Sequence, residues 1–170
     1  DRHGQPGEID VMEAVIQSKR RATYNEIEAE RKDREQESSW EFKPHFELYR
    51  LIRKARTDRG SIDFDLPEVD VVVDKQGEPV EVVNRERNDA HRLIEEFMIA
   101  ANEAVTRWMM ARKWPFVYRV HDEPAAAALQ RFEELAATVG IALKLSHQGE
   151  VSPKILADVV KQVEGHPAQD

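Results

Sequence analysis

The sequence predicts an α+β fold, rich in helix, with short strands and a β-hairpin near residues 69–83. Three observations point there. Apolar residues keep helical spacing from about 89 to 113, and valines alternate on both sides of a Gly-containing turn. Helix-boundary signals punctuate much of the remainder.

Taken in order, residues 1–8 read as an irregular start, and Ile9, Val11, Glu13 and Val15 alternate as a strand over about 9–17. Ser18-Lys19-Arg20-Arg21 is a basic turn. Thr23 and Glu26 have the spacing of a capping box, so a polar helix should run to about 36, frayed or solvated because Ile27 is nearly alone on its apolar face. A linker with Pro44 precedes a helix over about 45–58, in which Phe46, Tyr49, Ile52 and Ala55 share a face and Gly60 stands as the C-terminal cap. Ile62 and Phe64 suggest a short strand. Val69, Val71 and Val73 alternate into the turn Asp74–Glu78, and Val80, Val82 and Val83 return as the second strand of the hairpin.

The longest helix should bury Ala90, Ile94, Phe97, Met98, Ala101, Val105, Trp108 and Met109, ending before Pro115. Val117–Val120 reads as a strand. An Ala-rich helix opens at Pro124 and closes at Gly140, and Ser152-Pro153 starts a last helix to about 164.

The chain has 170 residues, 41% hydrophobic and 34% charged, with net charge −8. That is the balance of a globular protein, with length for one domain. No apolar run approaches the ~20 residues of a membrane span, so no membrane partner is expected. Cysteine is absent, which excludes disulfides and thiolate chemistry and fits a reducing, cytoplasmic setting. Because the first residue is Asp1 rather than Met, and no apolar leader follows it, we expect a processed or longer parent chain. The acidic balance alone argues against nucleic acid, whose binders carry basic patches.

Candidate chemistry is sparse. The six histidines (His3, His45, His91, His121, His147, His166) include no i,i+4 pair of the kind zinc sites use. His121-Asp122-Glu123 are consecutive and point in different directions, so they read as a strand end. Asp63, Asp65, Glu68 and Asp70 flank the hairpin. Clustered carboxylates hold Mg²⁺, but charge also guards an exposed strand edge. Arg50, Arg53, Lys54, Arg56 and Arg59, with Lys19–Arg21, suit either a phosphate backbone or a solvated face. Glu95 borders an apolar helix face, and Tyr24 and Phe64 read as core aromatics.

A resemblance carries the reading further. Arg87–Asn102, RNDAHRLIEEFMIAAN, closely resembles the "RNDAHxLIEExMIxAN" helix of RNase R/RNase II-type exoribonucleases. Ser18–Tyr24 is similar to that family's "S…R.TY" segment, Arg59–Phe64 to its "RG.I.F" strand, and Tyr118–Pro124 to its "YRiH..P" segment, all in the same order. The chain is thereby identified as an internal piece, residues 1–170, of an RNB-type catalytic domain.

The resemblance implies an enzyme that threads single-stranded RNA, 3′ end first, and hydrolyses it to nucleoside 5′-monophosphates with Mg²⁺, with no preference for DNA. By position, Phe64 is the aromatic that stacks on the terminal base, and Tyr24 and Glu95 are the catalytic-site pair near the terminal ribose and phosphate. The family's metal-binding aspartates lie upstream of the opening strand, and its "SPIRRY"-like arginine segment lies downstream of the closing helix. No metal ligand is therefore assigned to this chain: the piece should supply the pocket for the RNA 3′ end and hydrolyse nothing alone. The alternatives are a catalytically dead RNB-like module that binds RNA or protein, and a helical scaffold with no RNA role.

Overall fold

The structure is a computed structural model describing residues 1–62, 69–84, 86–145 and 151–163. Its elements are α1 (Tyr24–Arg34), α2 (Lys43–Asp58), β1 (Val69–Val73), β2 (Pro79–Asn84), α3 (Asp89–Ala111), α4 (Ala126–Thr138) and α5 (Pro153–Val163). The described residues fall into two compact units, one spanning Asp1–Lys54 and Phe64–Pro115, the other Ala55–Asp63 and Phe116–Asp170. No helix among the described residues is long and apolar enough to cross a membrane.

In the first unit the core forms where three helices and one connection meet. Trp40, Phe46, Tyr49, Ala90 and Leu93 are buried, and Ile27, Phe42 and Phe97 close around them. Trp40 stacks on Phe46 at 5.5 Å between ring centres. Ala90, Leu93 and Phe97 recur at helical spacing, so one stripe of α3 faces this cluster. The expected burial of Ile94, Met98 and Val105 is corrected: they are exposed. The α3 helix is apolar on two sides, and this unit covers only the stripe that contains Leu93.

The polar helix α1 is well formed rather than frayed. Arg31 bridges Glu28 at 2.7 Å, Glu35 at 3.1 Å and Asp89 of α3 at 3.3 Å. Ion pairing thus docks a helix that has little apolar surface to bury. Glu28 is only 6% exposed. The Arg31 hydrogen bond holds its carboxyl below the usual carboxylate range, and that pair in turn raises the Arg31 guanidinium.

The hairpin forms as the valine alternation predicts. The strands β1 and β2 are antiparallel, Val71 opposite Val82, with a register shift between Val72 and Val73. Asp74 organises the turn by accepting the backbone N–H groups of Gln76 (2.8 Å) and Glu78 (3.0 Å).

Two expected strands do not form. Residues 9–17 carry no regular structure, with Val15 and Ile16 exposed, and 117–120 are likewise irregular, with Val117 and Val120 exposed. Alternation supplies a strand's faces but not its hydrogen-bond partner, and among the described residues β1 and β2 pair only with each other. Of the suggested strand at Ile62 and Phe64, Ile62 is irregular and Phe64 lies outside the described residues.

Helix ends follow the local signals. After α2, the Gly60 N–H bonds Thr57 O at 2.9 Å and the Ser61 N–H bonds Arg56 O at 3.2 Å, the paired closure of a Schellman motif. Gly60 has φ +92°, and a Cβ there would sit 2.7 Å from the Lys154 backbone nitrogen, so both conformation and space call for glycine. In the second unit α4 closes the same way at Gly140, and Ser152 Oγ accepts the Lys154 N–H at 3.3 Å at the start of α5. Ala136, Leu145, Ala157 and Val159 are its buried apolar residues.

Candidate RNA 3′-end site

The candidate site lies at the amino-terminal ends of α1 and α3. Tyr24 is the first residue of α1, placed by the capping box just before it. The Thr23 N–H donates to Glu26 Oε2 at 2.6 Å, and the Glu26 N–H donates to Thr23 Oγ1 at 3.3 Å. Hydrogen bonds donated by the Thr23 backbone N–H, and next by the Thr23 hydroxyl (2.9 Å), hold the Glu26 carboxyl below its ordinary range.

Asn88 caps α3. Its Oδ1 accepts the His91 backbone N–H at 3.3 Å and lies 2.7 Å from His91 Nδ1. Its amide nitrogen donates to Asn25 Oδ1 at 3.0 Å, joining residues 63 apart in sequence. Asn88 is 8% exposed, so these partners replace water for a buried amide.

The Tyr24 ring lies over the His91 imidazole, centres 4.0 Å apart and planes 26° from parallel. One turn along α3, and therefore on the same face, stands Glu95. Its carboxylate pairs with Arg87 at 2.6 Å, the two side chains 34% and 27% exposed. Glu96 turns the other way and is 2% exposed. Of the three residues expected in the pocket, Tyr24 stacks on His91, which lies one turn before Glu95 on α3, whereas Phe64 lies outside the described residues. Arg87, Asn25, Asn88 and His91 were not anticipated as site residues. Arg87, Asn88 and His91 lie within the Arg87–Asn102 motif, and an Asn directly before a helix is a capping signal.

This arrangement suits recognition of a polar end carrying a flat base. It offers a half-exposed phenol ring, a carboxylate able to accept hydroxyl hydrogen bonds, and a guanidinium beside it. Among the described residues no three His, Asp or Glu side chains converge where a metal ion could sit. Those residues therefore do not fit a Mg²⁺ site. The carboxylates Asp63, Asp65 and Glu68 lie outside the described residues. Several basic side chains suggested for phosphate contact are engaged within the chain. Arg20 pairs with Glu30 and Glu41, which raises its pKa, Arg50 pairs with Glu35, and Arg56 donates to Ser61 Oγ at 2.6 Å.

Comparison with known proteins identifies the family. The family model described as the RNB domain matches residues 1–169. Ribonuclease R of Aquifex aeolicus is 37% identical over 178 residues, covering 100% of this chain and 25% of that protein. Ribonuclease R of Thermotoga maritima is 36% identical over 175 residues, covering 98% of this chain and 24% of its own length. Among solved structures, Mycoplasma genitalium RNase R in complex with ribose methylated single-stranded RNA superposes with a TM-score of 0.75 at 25% identity, over 86% of this chain and 23% of that one. The same enzyme with double-stranded RNA gives a TM-score of 0.74. The chain spans about a quarter of the length of these curated relatives. Matched along nearly its whole length, it belongs to the RNB domain family of the ribonuclease R enzymes.

Proposed function

We propose that this chain supplies the pocket for the RNA 3′ end in a hydrolytic 3′→5′ exoribonuclease that degrades single-stranded RNA to nucleoside 5′-monophosphates. The observation that carries the reading is the meeting of Tyr24 with the α3 face that bears Glu95, at two capped helix starts. The RNA held by the Mycoplasma genitalium enzymes supports it. In this reading Glu95 accepts the terminal 2′-hydroxyl, which favours RNA over DNA. Tyr24 borders the terminal ribose and phosphate. Phe64 stacks on the terminal base, a contact that tolerates any sequence.

Mg²⁺ is the expected cofactor of the complete enzyme, where it would activate the attacking water and stabilise charge on the phosphate. The residues of this chain bind and orient the RNA end. The Cys-free composition fits a reducing cytoplasm as the place of action.

Fluorescence anisotropy of this chain with a 5′-labelled oligo-A with a free 3′ end, its deoxy counterpart and a 3′-phosphorylated oligo-A tests the pocket. Weak binding that prefers a free ribose 3′ end is expected. Equal binding to all three would overturn the assignment. Preference for the ribose end by a full-length protein that never hydrolyses RNA with Mg²⁺ would instead favour the binding module.

A further inference from the structure

We infer that His91 is a positioning residue for the RNA-end pocket: it is the platform that fixes the ring of Tyr24. The inference rests on the proposed role of Tyr24 and deepens it.

The amide of Asn88 is engaged at both ends. Its nitrogen is committed to Asn25 Oδ1 at 3.0 Å, so its oxygen is what meets His91 Nδ1 at 2.7 Å. An amide oxygen only accepts, so Nδ1 carries the proton in this contact. That bond fixes the rotation of the imidazole about its own side chain. The Tyr24 ring then lies on the fixed imidazole at 4.0 Å and 26°. Stacked rings of this kind favour one relative orientation, which holds the phenol ring.

The two helices meet here in two adjacent pairs. Neighbours Tyr24 and Asn25 on α1 engage His91 and its cap partner Asn88 at the start of α3, and the second pair sets the platform for the first. Tyr24 is 43% exposed. A half-exposed aromatic ring on a helix end would sample several rotamers without such support, so an RNA end would meet a disordered wall. The imidazole supplies the order while leaving one side of the ring open to a ligand.

The test is a double-mutant cycle in the full-length protein that carries these residues, read as the single-turnover rate on labelled oligo-A with Mg²⁺. His91→Ala should slow degradation about five- to tenfold, the scale of a stacked pair. The loss should vanish in a Tyr24→Ala background, which a merely structural role would not do. His91→Phe, which keeps a ring under Tyr24, should recover most of the rate, and it guards against a His91→Ala protein that fails to fold. Losses that multiply in the double variant would overturn the proposal, as would a His91→Ala rate equal to wild type. If Tyr24→Ala alone degrades RNA at the wild-type rate, the pocket reading of Tyr24 falls, and the positioning role falls with it.

Discussion

Arg87 places its guanidinium 2.6 Å from the carboxylate of Glu95, eight residues further on, bridging the approach to α3 and its second turn. The carboxylate proposed to read a ribose hydroxyl is therefore already paired and oriented before RNA arrives. Replacing it by an amide keeps the shape and removes the charge. Glu95→Gln should reduce the preference for a ribose over a deoxyribose 3′ end by about five- to tenfold, the difference between a hydrogen bond to a charged and to a neutral acceptor. Paired binding curves with the two oligonucleotides check this, and an unchanged ratio would contradict it.

Phe64 should matter to grip rather than to sugar choice. Phe64→Ala in the full-length protein is expected to weaken binding of a single-stranded RNA end by about 1–3 kcal/mol, with ribose and deoxyribose ends affected alike, as base stacking predicts. Unaltered affinity would mark Phe64 as a packing residue.

Acid should undo the docking of α1 through one carboxyl. The Arg31 hydrogen bond depresses the folded-state pKa of Glu28. A depressed pKa contributes stability in full above the unfolded value of about 4.3, and loses it as pH falls through the lower folded value. Glu28→Gln should destabilise the chain by about 1.5–3 kcal/mol at neutral pH. Denaturant melts at several pH values should show that gap narrowing below about pH 4. A gap independent of pH would mean that Glu28 acts through shape alone.

The end of α3 offers a stabilising change. Lys113 adopts φ 54°, and its N–H bonds Met110 O at 3.0 Å while the Trp114 N–H bonds Met109 O at 3.3 Å. This is the Schellman position that α2 and α4 fill with glycine. Lys113→Gly should relieve the left-handed strain and stabilise by about 0.5–1 kcal/mol, less the entropy that glycine adds to the unfolded chain. A thermal midpoint raised by about 1–4 °C would agree, and a lowered one would not.

What the sequence made legible was local. Thr23 with Glu26, Gly60, Gly140 and Ser152 mark helix ends through bonds that span only a few residues, and each cap forms where expected. The strands expected at 9–17 and 117–120 need an edge to pair with, and no alternation of residues supplies one. The α3 helix carries apolar residues on two sides, so periodicity identified the helix but could not say whether Leu93 or Ile94 would be covered. The proposed pocket was legible only in part. Tyr24 and Glu95 came from resemblance to a family motif, not from pattern. His91, Asn88 and Asn25 join through contacts between distant parts of the chain, which spacing along one helix does not reveal.

The central claim is that Tyr24 and Glu95 act together on the RNA 3′ end. Single-turnover degradation of labelled oligo-A with Mg²⁺ by the full-length protein, compared with its Tyr24→Ala and Glu95→Ala variants, tests it most directly. The account predicts that both variants stay folded and that each loses most of the cleavage rate. Cleavage undiminished in both would contradict it.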